Sequence, residues 1–368
     1  MNARIIVGVS GGLDSSLAAL RLLQNGWNVT AVHLDMLGTK NAEDSARLDL
    51  LEKHFHITVI RIDCRQRFEK CVVAPFITAY KRGETPNPCV ICNEAVKIRV
   101  LFEQADRIGA TKVATGHYAR TVSYHGKTAI ARSASRKDQT YMLHRLPHEW
   151  LDRLIFPLED MSGKAAVRDE LASFSFTDVY TANESQDICF LAGENLETFL
   201  KRRISDDECF VGRMKDEQGH DLGAHKGLIF YTEGQRKGLG LSCGPWFVER
   251  RDFTDGTLYL SHGRERLRKR IYYDRAVWQQ SIAKVRDLRV QYCYRFPPVR
   301  AALLNSEENE RTGIVLLDFP AGGVINWHRS ESDKSYLFAK LFKLLSAIVR
   351  GYFARYAHKS ELCVSLIG

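Results

Sequence analysis

Residues 5–20 constrain the fold more than any other stretch. The β-branched run "RIIVGV" stops at Ser10-Gly11-Gly12, and "DSSLAALRLLQNG" then spaces apolar residues as a helix does, ending at Gly26. A strand that hands over to a helix through small residues is the opening unit of an α/β fold, and the alternation continues. "NVTAVHL" reads as a second strand, "NAEDSARLDLLEKHF" as a helix with Leu48, Leu50 and Leu51 inward, and "ITVIRID" as a third strand. A helix through "FEKCVVAPFITAY" is followed by a loop, "KRGETPNPCVICN", then by helix "EAVKIRVLFEQADRIG" and strand "KVATG". This order predicts a parallel sheet covered on both faces, with ligands at the carboxyl ends of its strands.

The texture changes after about residue 203. "VGRMKDEQGHDLGAHKG", "YTEGQRKGLGL" and "DFTDGTLYLSHG" are short β-like runs broken by glycine turns. "VRDLRVQYCYRF" to "GIVLLDF" again reads as strands, and "SYLFAKLFKLLSAIVRGYFARYAH" as a helix with a leucine stripe. The division expected is 1–203, 204–268 and 269–368, the last atypical from about residue 326; a length of 368 residues suits two or three domains.

No apolar run is long enough to span a membrane and no secretory signal pattern opens the chain, so a cytoplasmic protein is expected. Nine cysteines, an odd and scattered set, read as reduced, catalytic or metal-binding thiols rather than a disulfide framework. The net charge of +9 favours a polyanionic partner, and "RERLRKR" concentrates five Lys/Arg in seven residues, as a phosphate contact or a solvated linker.

At the first junction, small residues let the backbone approach a ligand, and the helix start offers free N–H groups and a positive dipole end, a seat for phosphate. Asp14 either caps that helix or helps hold a metal-bound pyrophosphate. The stretch lacks the lysine of the common phosphate loop and is not GxGxxG. "SGGLDSS" is instead similar to the PP-loop of the ATP pyrophosphatase superfamily. With "TPNPCVICN", "ATGHYAR", "KDQTYMLHRL", "ESQDICFL" and "YTEGQRKGLG" following in order, the chain resembles the tRNA-specific 2-thiouridylases from about residue 5 to residue 300.

The resemblance implies a fold, a reaction and a site. The fold is an N-terminal parallel-sheet PP-loop domain of the adenine nucleotide alpha hydrolase kind, a small middle domain and a β-barrel-like C-terminal domain. The reaction is ATP-dependent 2-thiolation of a tRNA wobble uridine, by adenylation of its C2 oxygen and transfer of persulfide sulfur. ATP contacts fall on Gly8, Val9, Ser10, Gly11, Gly12, Leu13, Asp14, Ser15, Leu34 and Gly116. Asn87, Pro88 and Cys89 lie beside the target base, and His117, Lys137, Asp138 and Gln139 contact tRNA; His117 also reads as a structural histidine. Mg²⁺ accompanies ATP. The partners implied are tRNAs of the Lys, Glu and Gln type and a sulfur-relay protein or cysteine desulfurase.

The resemblance makes Cys189 the persulfide carrier and Cys92 the nucleophile that resolves it, leaving a Cys92–Cys189 disulfide. Cys92 sits near a helix start, where the dipole favours thiolate. Cys89 stands where many members carry aspartate, so Cys89, Cys92 and Cys189 are alternatively three ligands of a [4Fe–4S] cluster. The remaining cysteines read as inert buried thiols. The pattern departs at the C-terminus: "FPAGGVINWH" and the helical tail do not match the family's glycine-rich final strand, and "QYCYRF" places Cys293-Tyr294 where Arg-Tyr is usual. The alternatives are a PP-loop ligase acting on a small molecule and a non-catalytic tRNA-binding paralogue.

Overall fold

The computed structural model describes residues 3–38, 42–124, 126–135, 137–174, 176, 188–262, 270–273, 289–291, 299–304 and 312–316. Strand β1 (Arg4–Gly8), helix α1 (Leu13–Gln24), β2 (Asn28–Asp35), α2 (Ala42–Lys53) and β3 (Thr58–Asp63) follow the predicted order. A helical stretch over 65–81 consists of α3 (Arg65–Phe68), a π-turn at Glu69–Val73 and α4 (Ala74–Lys81). A second stretch over 88–108 consists of α5 (Pro88–Cys92), a π-turn at Asn93–Lys97 and α6 (Ile98–Ile108). β4 (Lys112–Thr115), the hairpin β5 (Ala119–Tyr124) and β6 (Lys127–Arg132), α7 (His148–Leu151), β7 (Leu154–Ile155) and α8 (Lys164–Ser173) complete the first unit.

The main sheet is parallel, in the order β3-β2-β1-β4-β7. Both faces are covered, and β1 shows how. Ile5 and Val7 pack with Leu17 and Leu20 of α1, while Ile6, between them, packs with Ile98 and Leu101 of α6 on the opposite face. In α2, Leu48 and Leu51 are buried, and Leu50 only borders the core. Stacking helices on two faces leaves the carboxyl ends of β1, β2 and β4 free to build a site.

One prediction needs correcting at an informative place. The CxxC is not in a loop: helix α5 starts at Pro88. The Asn87 side chain accepts the Cys89 backbone N–H at 3.2 Å, and Pro88 takes the first helical position, where its missing N–H costs nothing. Asn-Pro reads in sequence as a turn; in the fold it is a cap.

After α9 (Leu196–Lys201) comes the middle sheet, in the order β10-β11-β8-β9, from β8 (Gly212–Lys215), β9 (Asp221–His225), β10 (Phe247–Asp252) and β11 (Thr257–Ser261). "YTEGQRKGLGL" contributes no strand, because Gly234, Gly238 and Gly240 adopt φ of +83°, +80° and +68° and keep turning the chain. Cys209, Ile229 and Phe253 of this unit share a cluster with Phe76 and Tyr80 of α4. Arg251, 2% exposed, donates to Tyr231 O at 2.8 Å and to Gly83 O at 2.6 Å, so it ties the middle sheet to the segment leading into α5. Replacing Arg251 by Ala strands both buried carbonyls, and urea unfolding should register a loss of about 2–4 kcal/mol.

A third set, β12 (Arg270–Tyr273), β13 (Arg289–Val290), β14 (Val299–Leu304) and β15 (Thr312–Leu316), forms an antiparallel sheet in the order β12-β15-β14-β13, consistent with a β-rich C-terminal unit. The predicted tail helix, Cys293-Tyr294 and, but for Arg270, the "RERLRKR" run lie outside the described residues.

Candidate active site

The loop between β1 and α1 is a cradle of backbone and hydroxyls. Gly12 caps α1 without any side-chain partner, so the N–H groups of the first turn point outward unclaimed by a cap. Ser15 Oγ accepts the Ser10 N–H at 3.1 Å, lies 3.2 Å from Ser10 Oγ and donates to Gly12 O at 2.9 Å; Ser16 Oγ donates to the same carbonyl at 3.1 Å. The side chains of Val9 and Leu13, on either side, are buried in the core. Gly11 has φ +87°, and a Cβ there would come within 2.6 Å of Asp44. Arg47, 4% exposed, donates to Gly11 O and pairs with Asp44 at 2.7 Å, a buried cation that pins the loop from behind. Leu34, at the end of β2, is partly buried between two core clusters.

Asp14 does not cap the helix. Its carboxylate accepts from Tyr118 OH at 2.8 Å and pairs with Lys164 Nζ, at the start of α8, at 2.8 Å. Gly116, just past β4, lies so close to this loop that a Cβ would sit 3.0 Å from the backbone of Asp14 and Ser15. The nucleotide side therefore holds a carboxylate, a phenol and an ammonium that converge above free helix N–H groups, an arrangement suited to a magnesium-bound polyphosphate.

The thiols come next. His117, between Gly116 and Tyr118, has Nδ1 2.9 Å from Thr115 Oγ1. Burial, with the Lys97 charge adding to it, pushes its pKa down to about 3, so the ring is neutral at physiological pH. Lys97 acts electrostatically on Cys92, Cys189 and Cys89 as well. Burial opposes its charge, the three thiols outweigh burial, and the ammonium pKa sits above its ordinary value. In a regular α-helix the residue five positions on lies off to one side; the π-turn at Asn93–Lys97 brings Lys97 back over the face that Cys92 occupies.

Cys92 corrects a second expectation. It is 4% exposed, and burial pushes its pKa up to about 11, against the downward pull of the Lys97 charge and backbone N–H. Desolvation beats the helix dipole, so Cys92 rests as a thiol. Its sulfur lies 3.9 Å from Met36 Sδ, and it shares a cluster with Leu191 and Ile188, which flank Cys189. Cys189 itself is exposed, on the short 3₁₀ turn Cys189–Leu191. The Cys189 thiol is exposed and the Cys92 thiol is buried.

The remaining predicted contacts divide. Asp138 is buried, accepting the Ser133 N–H at 3.0 Å and the Thr140 hydroxyl at 2.7 Å, and Gln139 Oε1 accepts the Tyr118 N–H at 2.9 Å. Both carboxylate and amide hold the loop against the site, while the Lys137 side chain is half-buried. Asn87 and Asn93 reach the same loop at Met142, with Nδ2 3.4 Å from its sulfur and 3.0 Å from its carbonyl respectively. Lys97, Tyr118, Lys164 and Arg47 escaped sequence reasoning. Tyr118 lies in "ATGHYAR" and Lys97 in the helix "EAVKIRVLFEQADRIG", but nothing in their spacing gives them a role.

An iron–sulfur cluster needs its ligands gathered together. Among the described residues no three His, Cys, Asp or Glu side chains group as a metal site, while Cys89, Cys92 and Cys189 all share the field of Lys97.

Residues 3–193 match a family model described as the tRNA methyl transferase HUP domain, and residues 197–262 one described as the tRNA methyl transferase PRC-barrel domain. A tRNA-specific 2-thiouridylase of Sorangium cellulosum is 39% identical over 270 residues, 70% of this chain and 69% of its own. One from Chlorobium luteolum is 40% identical over 253 residues, 67% of this chain and 68% of its own. One from Treponema denticola is 33% identical over 332 residues, 86% of this chain and 90% of its own.

Proposed function

The chain belongs to the tRNA-specific 2-thiouridylase family, and from that premise we propose that it replaces the C2 oxygen of a tRNA wobble uridine with sulfur at the expense of ATP. The single observation that carries the reading is the continuity from nucleotide seat to thiols. Asp14 meets Tyr118, Gly116 meets the loop that holds Asp14, and the adjoining His117 shares the field of Lys97 with Cys92 and Cys189.

The chemistry follows from what a uracil carbonyl lacks. Its oxygen is a poor leaving group until it attacks the α-phosphorus of ATP and expels pyrophosphate. The terminal sulfur of a Cys189 persulfide then bonds to C2, and the oxygen leaves with AMP. Cys92 gives up its proton and attacks the Cys189 sulfur, breaking the sulfur–sulfur bond; 2-thiouridine departs and a Cys92–Cys189 disulfide remains for an external thiol to reduce. Free N–H groups at the start of α1, with Lys164, receive the phosphates. Asp14, its side chain 24% exposed and a hard oxygen donor, is the residue to hold Mg²⁺, which when bound supplies charge neutralisation for the departing pyrophosphate. Exposed Cys189 suits delivery of sulfur by another protein, and buried Cys92 suits a thiol that must wait its turn. A sulfur-relay protein or cysteine desulfurase, tRNAs of the Lys, Glu and Gln type, and the three-domain division near residues 203 and 268 belong to the same reading.

Lys97 makes this reading sensitive to pH. Replacing it by Met removes a cation that favours the Cys92 thiolate. We expect thiolation near neutral pH to fall about tenfold or more, and the acid limb of the rate profile to move to higher pH. Lys97→Arg should keep most of the activity, and a profile unmoved in Lys97→Met would refute the role. The overall reading is tested by incubating the chain with ATP, tRNA and a persulfide donor and weighing the nucleosides. The expected gain is that of sulfur for oxygen, dependent on ATP; an added methylene or an unchanged uridine would overturn it.

A further inference from the structure

A cavity lies in the middle unit, in the segment that breaks the sheet. It is about 430 Å³, lined by Arg236, Gly238, Gly240, Leu241, Pro245 and Trp246 among others. The glycines hold φ of +80° and +68°, so the wall is bare backbone turned outward. Trp246 is held in place: its Nε1 donates to Ser242 O at 3.0 Å, and its ring lies against exposed His262, tilted by 34° with centroids 3.6 Å apart. Arg236, in the lining, and Lys237, next to it in the chain, are both exposed. The chain then runs from His262 straight into "RERLRKR", five cations in seven residues.

We propose that this cavity is a second RNA-binding site, taking an unpaired nucleotide of the tRNA outside the reactive one, with its base against Trp246 and its phosphates on Arg236 and Lys237. An aromatic platform beside exposed cations is the chemistry of single-stranded RNA, since every base offers a π-face and every link a negative charge. A small-molecule anion would use the cations but leave the rings idle, and a protein partner would not call for exposed cations beside an aromatic ring. Bare glycine backbone adds N–H donors and room for a flat ring. The site rests on tRNA being the substrate but not on the thiol chemistry, which it does not touch.

The test is the affinity of the full-length chain for substrate tRNA, with ATP affinity measured alongside as a check on folding. Trp246→Ala should weaken tRNA binding by about tenfold, while Trp246→Phe, which keeps a stacking face, should stay near wild type. The double change Arg236→Ala with Lys237→Ala should reduce the slope of log affinity against log salt by about 1–2. With saturating tRNA the thiolation rate should be unchanged, so the defect lies in KM. If wild type binds tRNA and these variants bind equally well, the pocket is not an RNA site and the substrate assignment stands. If wild type itself does not bind tRNA, the substrate assignment fails and the pocket proposal with it.

Discussion

A chain carrying Cys189→Ser makes no 2-thiouridine but, given tRNA, still turns ATP into AMP and pyrophosphate. In the proposed reaction exposed Cys189 carries the sulfur, whereas adenylation draws on the seat formed by Ser10, Gly12, Asp14 and Lys164. Cys92→Ser should fail at a different step. The sulfur reaches C2 but is not released, so tRNA accumulates joined to Cys189 through a sulfur–sulfur bond that added reductant cleaves. The rate of 2-thiouridine release in a single turnover without reductant drops on the order of 10³-fold or more, the scale expected when a nucleophile is removed. Mass spectrometry of the protein–RNA adduct separates the two variants. Equal turnover of Cys92→Ser and wild type would remove Cys92 from the chemistry.

The second large effect comes from the loop itself. Gly11 combines a φ of +87° with a backbone neighbour, Asp44, 2.6 Å from where a Cβ would stand. A side chain there is strained twice, in its own conformation and against a helix that Arg47 holds in place. Gly11→Ala should therefore displace the loop rather than the helix. ATP affinity is expected to fall by roughly 10²-fold, equivalent to about 2.7 kcal/mol, while tRNA affinity is unchanged, as calorimetry and filter binding would show. Weakened tRNA binding would mean that the substitution unfolds more than the loop.

Much of this was legible in the residues. β1 and β2 announced themselves because a doubly covered strand is a largely apolar run, β3 by its β-branched residues, and α1 and α6 because a helix lying on a sheet needs its apolar stripe. The phosphate seat was legible for the same local reason: glycines and serines between a strand and a helix have few other uses. What escaped depends on distance in space. Arg47 and Lys164 act across tertiary contacts that no window of sequence contains. Lys97 reaches Cys92 only through a π-turn, which has no composition of its own. The bonds of Asp138 to Ser133 and Thr140 and of Gln139 to Tyr118 likewise depend on the folded loop and are not written in the sequence. The thiolate expected at Cys92 followed from helix position, and burial reversed it, because desolvating a charge outweighs a dipole end.

The account stands or falls on one nucleotide seat and one thiol pair serving the same base, and a single turnover without external reductant tests that directly. The chain is loaded with persulfide at Cys189, mixed with ATP and tRNA, quenched, and assayed for AMP, 2-thiouridine and protein disulfide. The prediction is equal amounts of all three, with the disulfide mapped to Cys92 and Cys189. Formation of 2-thiouridine without AMP, or with both thiols still free, would contradict it.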